Sequence, residues 1–170
     1  IRSDIHELKD YFNRNRITAG FLPTQFCRQF TEDTAPVPSL RVLLTGGEKL
    51  AQFTPRPYLL VNNYGPTENT TFSTSFAITR RYTPRVPIGK PINNSTAFIV
   101  DKNGNPLPVG IEGELLLAGD GVARGYLNNP ELTDANFVFL SSLLSSPSSP
   151  SSPSSPSRLY RTGDLVRRLP

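Results

Sequence analysis

Apolar residues recur at helical spacing near the start of the chain and then gather into short runs. A helix is predicted over residues 4–13, a strand over 19–22 and a second helix over 24–30. Asp4, followed three positions later by Glu7, forms a capping-box pattern at the first helix. This part of the chain therefore predicts helices packed against strands.

Later in the chain the pattern becomes richer in strands. The apolar runs 40–44 and 59–62 each end at a glycine-containing turn and are typical of buried parallel strands. Beyond Thr70 the character changes, and extended segments are predicted over 70–78, 97–100 and 114–118. We expect an α/β sheet layer over residues 1–80 and a β-rich subdomain over 81–170, with the boundary near residues 79–85.

Residues 141–157 are almost entirely serine and proline, so they have little to bury. We expect a disordered loop here, most simply a tolerated insertion in a surface loop, although a partner-binding role is an alternative.

Composition narrows the class of protein. The 170 residues carry a net charge of +4 and contain one cysteine, Cys27, and one histidine, His6. A disulfide framework and a cysteine-rich zinc site are therefore excluded, and we expect a cytoplasmic location. No apolar run is long enough for a membrane span, and the scattered basic residues disfavour a nucleic-acid binder. Since the chain starts at Ile1 and contains no methionine, we expect an internal fragment.

Three segments carry candidate chemistry where strands are predicted to end. Residues 62–68 (NNYGPTE) combine an amide, an aromatic ring, a hydroxyl and a carboxylate, the groups of a nucleotide site with Mg²⁺. Residues 45–48 (TGGE) allow a flat ligand to approach the backbone, and Asp164 in 160–165 (YRTGDL) can accept hydrogen bonds from two ribose hydroxyls. Each segment viewed alone is also compatible with an ordinary turn. The segment 113–126 has no obvious nucleophile or base and is interpreted as structural.

Five segments in the same order resemble the adenylation domains of nonribosomal peptide synthetases. They are LRVLLTGGEKL, NNYGPTE, VPIGKPI, GELLLAGDGVARGYLNNPELT and YRTGDL. The resemblance covers nearly the whole chain except the serine- and proline-rich loop. It implies the central and later part of the large N-terminal domain of an adenylate-forming enzyme.

The resemblance implies that an amino acid reacts with ATP to give an aminoacyl adenylate and pyrophosphate. The acyl group then passes to the phosphopantetheine thiol of a carrier protein, and the expected partners are peptidyl carrier and condensation domains. By position, Asn62 would contact adenine, Tyr64 and Gly47 would lie against its two faces, and Asp164 would hold the ribose. Thr67 would touch the α-phosphate and Glu68 would coordinate Mg²⁺, so these two are the catalytic candidates.

The resemblance also assigns an amino-acid pocket, whose mostly apolar lining favours an aliphatic substrate such as leucine, isoleucine or valine. Its members are Phe21, Leu44, Gly46, Asn63, Thr71 and Phe72. The family's phosphate loop, its amine-binding aspartate and its C-terminal lysine have no match here, so we expect the 170 residues alone to be inactive.

Two other classes remain open from the sequence. An acyl-CoA synthetase or another stand-alone adenylate-forming ligase shares the Thr-Gly-Asp motif, and a truncated, non-catalytic remnant would also retain the matched residues. Activity with fatty or aryl acids would favour the first alternative, and no activity with any acid would favour the second.

Overall fold

The computed structural model describes residues 4–53, 55–139 and 158–170. Contacts divide the chain into two compact units, which we call the first unit (Ile1–Gly65 and Thr74–Lys90) and the second unit (Pro66–Ser73 and Pro91–Pro170). These units differ in extent from the two domains expected at 1–80 and 81–170, because the chain leaves the first unit at residue 66 and returns to it at residue 74. The domain assignment itself stays a prediction.

Two helices of the first unit form where the periodicity predicts them. They are α1 (Ile5–Arg14) and α2 (Thr24–Glu32). Asp4 caps α1, because its carboxylate accepts hydrogen bonds from the backbone N–H groups of His6 and Glu7. Cys27 is buried on α2, and burial raises the pKa of its thiol to about 11, so the thiol is not a nucleophile near neutral pH.

The sheet of the first unit has the order β1-β2-β3-β4-β5. Its strands are β1 (Ala19–Pro23), β2 (Val42–Gly46), β3 (Leu59–Tyr64), β4 (Thr74–Ile78) and β5 (Lys90–Pro91). The strands β1, β2 and β3 are parallel, as predicted for the apolar runs of β2 and β3, whereas β4 is antiparallel to β3. The sequence pattern changes beyond Thr70, but β4, which follows that change, still belongs to the first sheet. The change of pattern therefore does not mark the start of the second sheet.

The core of the first unit contains side chains from both helices and from the buried side of the sheet. Its fully buried members include Phe30, Leu43 and Leu60. Lys9 is also buried, and its ammonium group donates to Asp33 Oδ1 at 2.8 Å and to the carbonyls of Asp33 and Ala35. The buried charge is therefore fully paired.

The second unit is built on an antiparallel sheet of order β6-β7-β9-β8. Its elements are β6 (Ser95–Val100), β7 (Glu112–Gly119), α3 (Pro130–Asn136), β8 (Phe137–Phe139) and β9 (Arg158–Arg167). The β-rich character predicted for this part is confirmed. Val100, Leu116, Ala118 and Leu159 form its buried core.

The strand expected over 70–78 begins only at Thr74. Residues Thr67–Asn69 form a one-turn 3₁₀ helix, and Thr70 adopts a positive φ of 69°. Both conformations interrupt an extended chain. The loop expected over 141–157 lies outside the described residues. Within the described ranges, every helix is too short or too polar to cross a membrane.

Candidate functional site

The turn after β2 borders a cavity of about 160 Å³ in the first unit. Gly47 has a φ of 101°, and a Cβ added there would meet no atom within 4 Å. Thr24, at the start of α2, braces the turn, because its hydroxyl exchanges hydrogen bonds with the backbone of Glu48. The backbone at Gly47 is therefore held in place while its exposed side stays open, the arrangement that a flat ligand needs.

Four of the six predicted pocket residues lie on one face of the first sheet. In the parallel register Phe21 is paired with Leu44, and Gly46 is paired with Asn63. Leu44 and Gly46 are two positions apart on β2, so their side chains point to the same face. A Cβ at Gly46 would come within 2.5 Å of the Asn63 carbonyl oxygen, which explains why glycine is needed at this close approach.

Asn62 and Asn63 are both buried and have partners within the fold. Asn62 is 4% exposed, and its amide nitrogen donates to the Pro87 carbonyl at 2.9 Å. Asn63 donates to the carbonyls of Thr45 and Val61. The Asn62 side chain thus connects β3 to the segment that contains Pro87. Its contact with adenine stays a prediction from the resemblance alone. Tyr64, half-buried, is the last residue of β3.

Glu68, a predicted catalytic residue, lies in the second unit and accepts hydrogen bonds at both its carboxylate and its backbone carbonyl. Its Oε1 accepts a hydrogen bond from the Tyr126 hydroxyl at 2.7 Å, and its backbone carbonyl accepts from the Ala123 N–H at 2.8 Å. Hydrogen bonds from Tyr126 and then Tyr160 lower the pKa of Glu68 below its ordinary value. Glu68 is therefore ionised at neutral pH.

The residues on either side of Glu68 differ in exposure. Thr67 is exposed, as is Thr71, whereas Phe72 is half-buried. Asn69 is buried and donates to the Ser73 hydroxyl at 2.7 Å, and the Thr70 hydroxyl donates to the Gly121 carbonyl at 2.8 Å. These contacts fix the course of the segment 66–73 within the second unit.

Asp164 is exposed on β9, beside an irregularity in the pairing with β7. The register shifts between Glu114 and Leu116, and Gly163 has a φ of 72°. Thr162 stabilises this bend, because its hydroxyl donates to the Leu115 carbonyl and accepts from the Asp164 N–H. The bend displays Asp164 at the surface, where a ligand can reach the carboxylate.

Sequence reasoning missed the tyrosines that contact Glu68. The segment 113–126 is interpreted from the sequence as structural, and the structure adds that its Tyr126 hydroxyl contacts Glu68, the predicted Mg²⁺ ligand. Tyr160 stands within a predicted motif, but no role was assigned to it. Tyr126 lies 58 positions from Glu68, so only the folded strand arrangement could reveal the pair.

Glu68 is the carboxylate that the resemblance assigns to Mg²⁺. Among residues 4–53, 55–139 and 158–170, the structure has no group of three or more His, Cys, Asp or Glu side chains that could hold a metal by themselves. Mg²⁺ in nucleotide sites usually takes one or two carboxylates and completes its shell with phosphate oxygens and water. A single ionised glutamate therefore fits this ion.

Comparisons with known proteins agree with the sequence resemblance. The family model described as AMP-binding enzyme matches residues 1–127. Bacitracin synthase 1 from Bacillus licheniformis is 47% identical over 99% of this chain, and Tyrocidine synthase 3 from Brevibacillus parabrevis is 45% identical over 98%. The chain spans only 3% and 2% of the lengths of these relatives.

A solved structure supports the same assignment. PA1221, described as an NRPS protein containing adenylation and PCP domains, superposes with a TM-score of 0.79 at 29% identity over 98% of this chain and 34% of its own. The expected α/β fragment of an adenylate-forming domain is thereby confirmed. The chain belongs to the AMP-binding enzyme family, the family of ATP-dependent adenylate-forming ligases, and corresponds to a segment of the adenylation domains of nonribosomal peptide synthetases.

Proposed function

We propose that these residues form part of a domain that activates an amino acid with ATP during nonribosomal peptide synthesis. A carboxylate oxygen of the amino acid attacks the α-phosphorus, the bond to the bridging oxygen breaks, and pyrophosphate leaves. The observation that carries the proposal is Glu68, an ionised carboxylate held by the Tyr126 hydroxyl at the end of the NNYGPTE segment. Such a group suits a site where phosphate charge must be balanced by a metal ion.

The residues proposed to contact ATP belong to both units, and each contact is proposed within the unit that contains its residue. In the first unit, the open backbone of Gly47 and the ring of Tyr64 lie against adenine, and Asn62 is carried over by position only. In the second unit, Thr67 contacts the α-phosphate and exposed Asp164 accepts hydrogen bonds from the ribose hydroxyls. Positioning of the α-phosphate is the main contribution of these side chains.

Glu68 would hold Mg²⁺, which when bound neutralises phosphate charge that develops during the transfer. The Tyr126 hydroxyl donates to Oε1 of this carboxylate, so the carboxylate is already oriented before a metal ion binds. Thr67 is exposed and lies next to Glu68 in the same 3₁₀ turn, where its hydroxyl can donate to a phosphate oxygen.

We propose an aliphatic amino acid as the substrate. Phe21 and Leu44 present apolar surface on the sheet face that Gly46 and Asn63 share, and none of the six pocket residues is charged. An apolar lining disfavours a charged side chain, because burying an unpaired charge is costly. Leucine, isoleucine and valine therefore fit best.

The partners follow from the family. The related protein PA1221 is described as containing adenylation and PCP domains, which supports transfer of the acyl group to a carrier-protein phosphopantetheine. A condensation domain and a cytoplasmic location complete the proposal. We expect the isolated 170 residues to be inactive, because the phosphate loop, the amine-binding aspartate and the C-terminal lysine that the resemblance implies have no match among them.

The proposal is tested by trapping the adenylate. The full-length protein is incubated with ATP, Mg²⁺, hydroxylamine and, in turn, each common amino acid and a set of fatty and aryl acids. Hydroxamates from leucine, isoleucine or valine support the proposal. Products only from fatty or aryl acids would assign the protein to acyl-CoA synthetases or related ligases, whereas no product from any acid would indicate a remnant.

A further inference from the structure

Tyr126 and Glu68 form a side-chain hydrogen bond between two distant parts of the sequence. The Tyr126 hydroxyl donates to Glu68 Oε1 at 2.7 Å, a short distance that is typical of donation to an ionised carboxylate. The Tyr160 hydroxyl also lowers the pKa of this carboxylate, after the larger effect of Tyr126. Glu68 has no lysine or arginine partner among the ion pairs of the described residues.

The Tyr126 side chain is held by its own surroundings. Its backbone N–H donates to the Thr133 hydroxyl at 2.9 Å, and its ring packs edge-on against Phe137 with centroids 5.5 Å apart. Phe137 in turn packs against Tyr160 at 5.2 Å. The three rings form an aromatic cluster on one side of Glu68, so the two hydroxyls are placed by packing and not by free side-chain rotation.

The same segment also holds the backbone of Glu68. The Ala123 N–H donates to the Glu68 carbonyl at 2.8 Å, three positions before Tyr126. Glu68 is thus fixed at its carbonyl and at one carboxylate oxygen by residues 123–126. A carboxylate fixed at both places has fewer orientations to lose when it binds a ligand.

We infer that Tyr126 is a positioning residue that orients the Glu68 carboxylate for the metal ion of the bound nucleotide. The inference rests on the proposed function, because it takes Glu68 to be the Mg²⁺ ligand. Hydrogen-bond partners of a metal ligand orient it and contribute to metal affinity. Tyr160 acts in the same direction through its own hydroxyl.

The test measures how Mg²⁺ strengthens nucleotide binding to the full-length protein. A fluorescent ATP analogue is held at fixed concentration, Mg²⁺ is titrated, and the half-saturating Mg²⁺ concentration is read from the fluorescence. In Tyr126→Phe this concentration should rise about 10-fold, the lower end of the range for losing a partner of a metal ligand. Binding of the analogue in EDTA should stay unchanged, because the phenylalanine ring retains the packing against Phe137.

Three variants complete the design. Tyr82→Phe is the matched control, since it removes a hydroxyl that contacts the exposed Arg80 in the first unit, and its Mg²⁺ titration should equal that of the wild type. Glu68→Gln should remove the Mg²⁺ effect, and adding Tyr126→Phe to it should change nothing further. Tyr160→Phe tests the same carboxylate through the second hydroxyl if Tyr126→Phe lowers the melting temperature.

The outcomes separate the inference from the proposed function. If Glu68→Gln loses the Mg²⁺ effect while Tyr126→Phe and Tyr160→Phe both keep the wild-type titration, the positioning role is overturned and the proposed function stands. If Glu68→Gln itself keeps the Mg²⁺ effect, both are overturned. A purely structural role for Tyr126 would lower the melting temperature without moving the Mg²⁺ titration, and that result also contradicts the inference.

Discussion

The first and second units present their candidate residues in different ways. In the first unit Asn62 and Asn63 lie inside a central strand, are at most 5% exposed and donate to backbone carbonyls of the same unit. In the second unit Glu68 and Asp164 lie in a turn and at a strand bend, and neither is buried. Substitutions at Asn62 and Asn63 should therefore reduce stability, whereas substitutions at Glu68 and Asp164 should reduce activity more than stability.

The largest expected effects come from the two separate cores. Phe30→Ala, in the first unit, removes a fully buried ring that packs against Phe12 and Tyr58, and should lower the free energy of unfolding by about 3–5 kcal/mol. Leu159→Ala is the counterpart in the second unit, with an expected loss of about 2–5 kcal/mol. Hydrogen exchange on the full-length protein should show each variant losing protection in its own unit. Equal loss in both units from either variant would contradict the division.

Asn62→Leu tests whether the polar strand residues of the first unit stabilise the fold. The change leaves the partly buried Pro87 carbonyl without its donor and should lower the free energy of unfolding by about 1–3 kcal/mol. Asn93→Leu, at an exposed position, is the control and should stay within about 0.5 kcal/mol of the wild type. Denaturant unfolding gives both values. If both variants show the same small change in unfolding free energy, the Asn62 hydrogen bond does not stabilise the fold.

Gly46, the last residue of β2, and Gly47, which follows it, allow the effect of packing to be separated from that of backbone strain. Gly46→Ala places a methyl group against the Asn63 carbonyl and should cost about 1–3 kcal/mol of stability. Gly47→Ala meets open space but has a positive φ, so about 1 kcal/mol is expected from strain. Its methyl group also enters the side proposed for adenine, so affinity for the ATP analogue should fall more in Gly47→Ala than in Gly46→Ala. The reverse order of affinities would place adenine elsewhere.

The smallest effect concerns the Lys9–Asp33 pair of the first unit. The hydrogen bond from Lys9, followed by that from the Ala35 N–H, lowers the pKa of Asp33. A carboxyl whose pKa is lower in the folded state stabilises the fold above its unfolded-state pKa, and this contribution is lost as the pH falls through the folded-state value. Asp33→Asn should therefore be less stable than the wild type at pH 7 and equal to it in acid. Melting temperatures across pH, with exposed Asp10→Asn as control, would refute this if the difference persisted at low pH.

The sequence predicted the elements of the first unit well because local signals and burial agree there. The helix cap at Asp4 and the strand that begins at Ala19 appear where the sequence predicts them, whereas β2 lies two residues later than the predicted run 40–44. The start of β4 was wrong by four residues, because Thr70 adopts a positive φ that a β-branched residue rarely takes. Nothing in the local pattern indicates that conformation.

The candidate site was predictable only in part, for a related reason. Glu68 and Asp164 could be selected because a carboxylate beside a turn is visible in the sequence. The tyrosine hydroxyls that hold Glu68 could not be selected, since Tyr126 reaches it through the sheet and aromatic packing of the second unit. Likewise, the burial of Asn62 depends on Pro87, 25 positions later.

Amino-acid-dependent ATP–pyrophosphate exchange is the most direct test of the central claim that Glu68 serves adenylation chemistry. The full-length protein is assayed with leucine, isoleucine and valine, beside its Glu68→Gln variant. Exchange should be robust in the wild type and fall by about 100-fold or more in the variant, with an unchanged melting temperature. Exchange that survives in Glu68→Gln at the wild-type rate would contradict the claim.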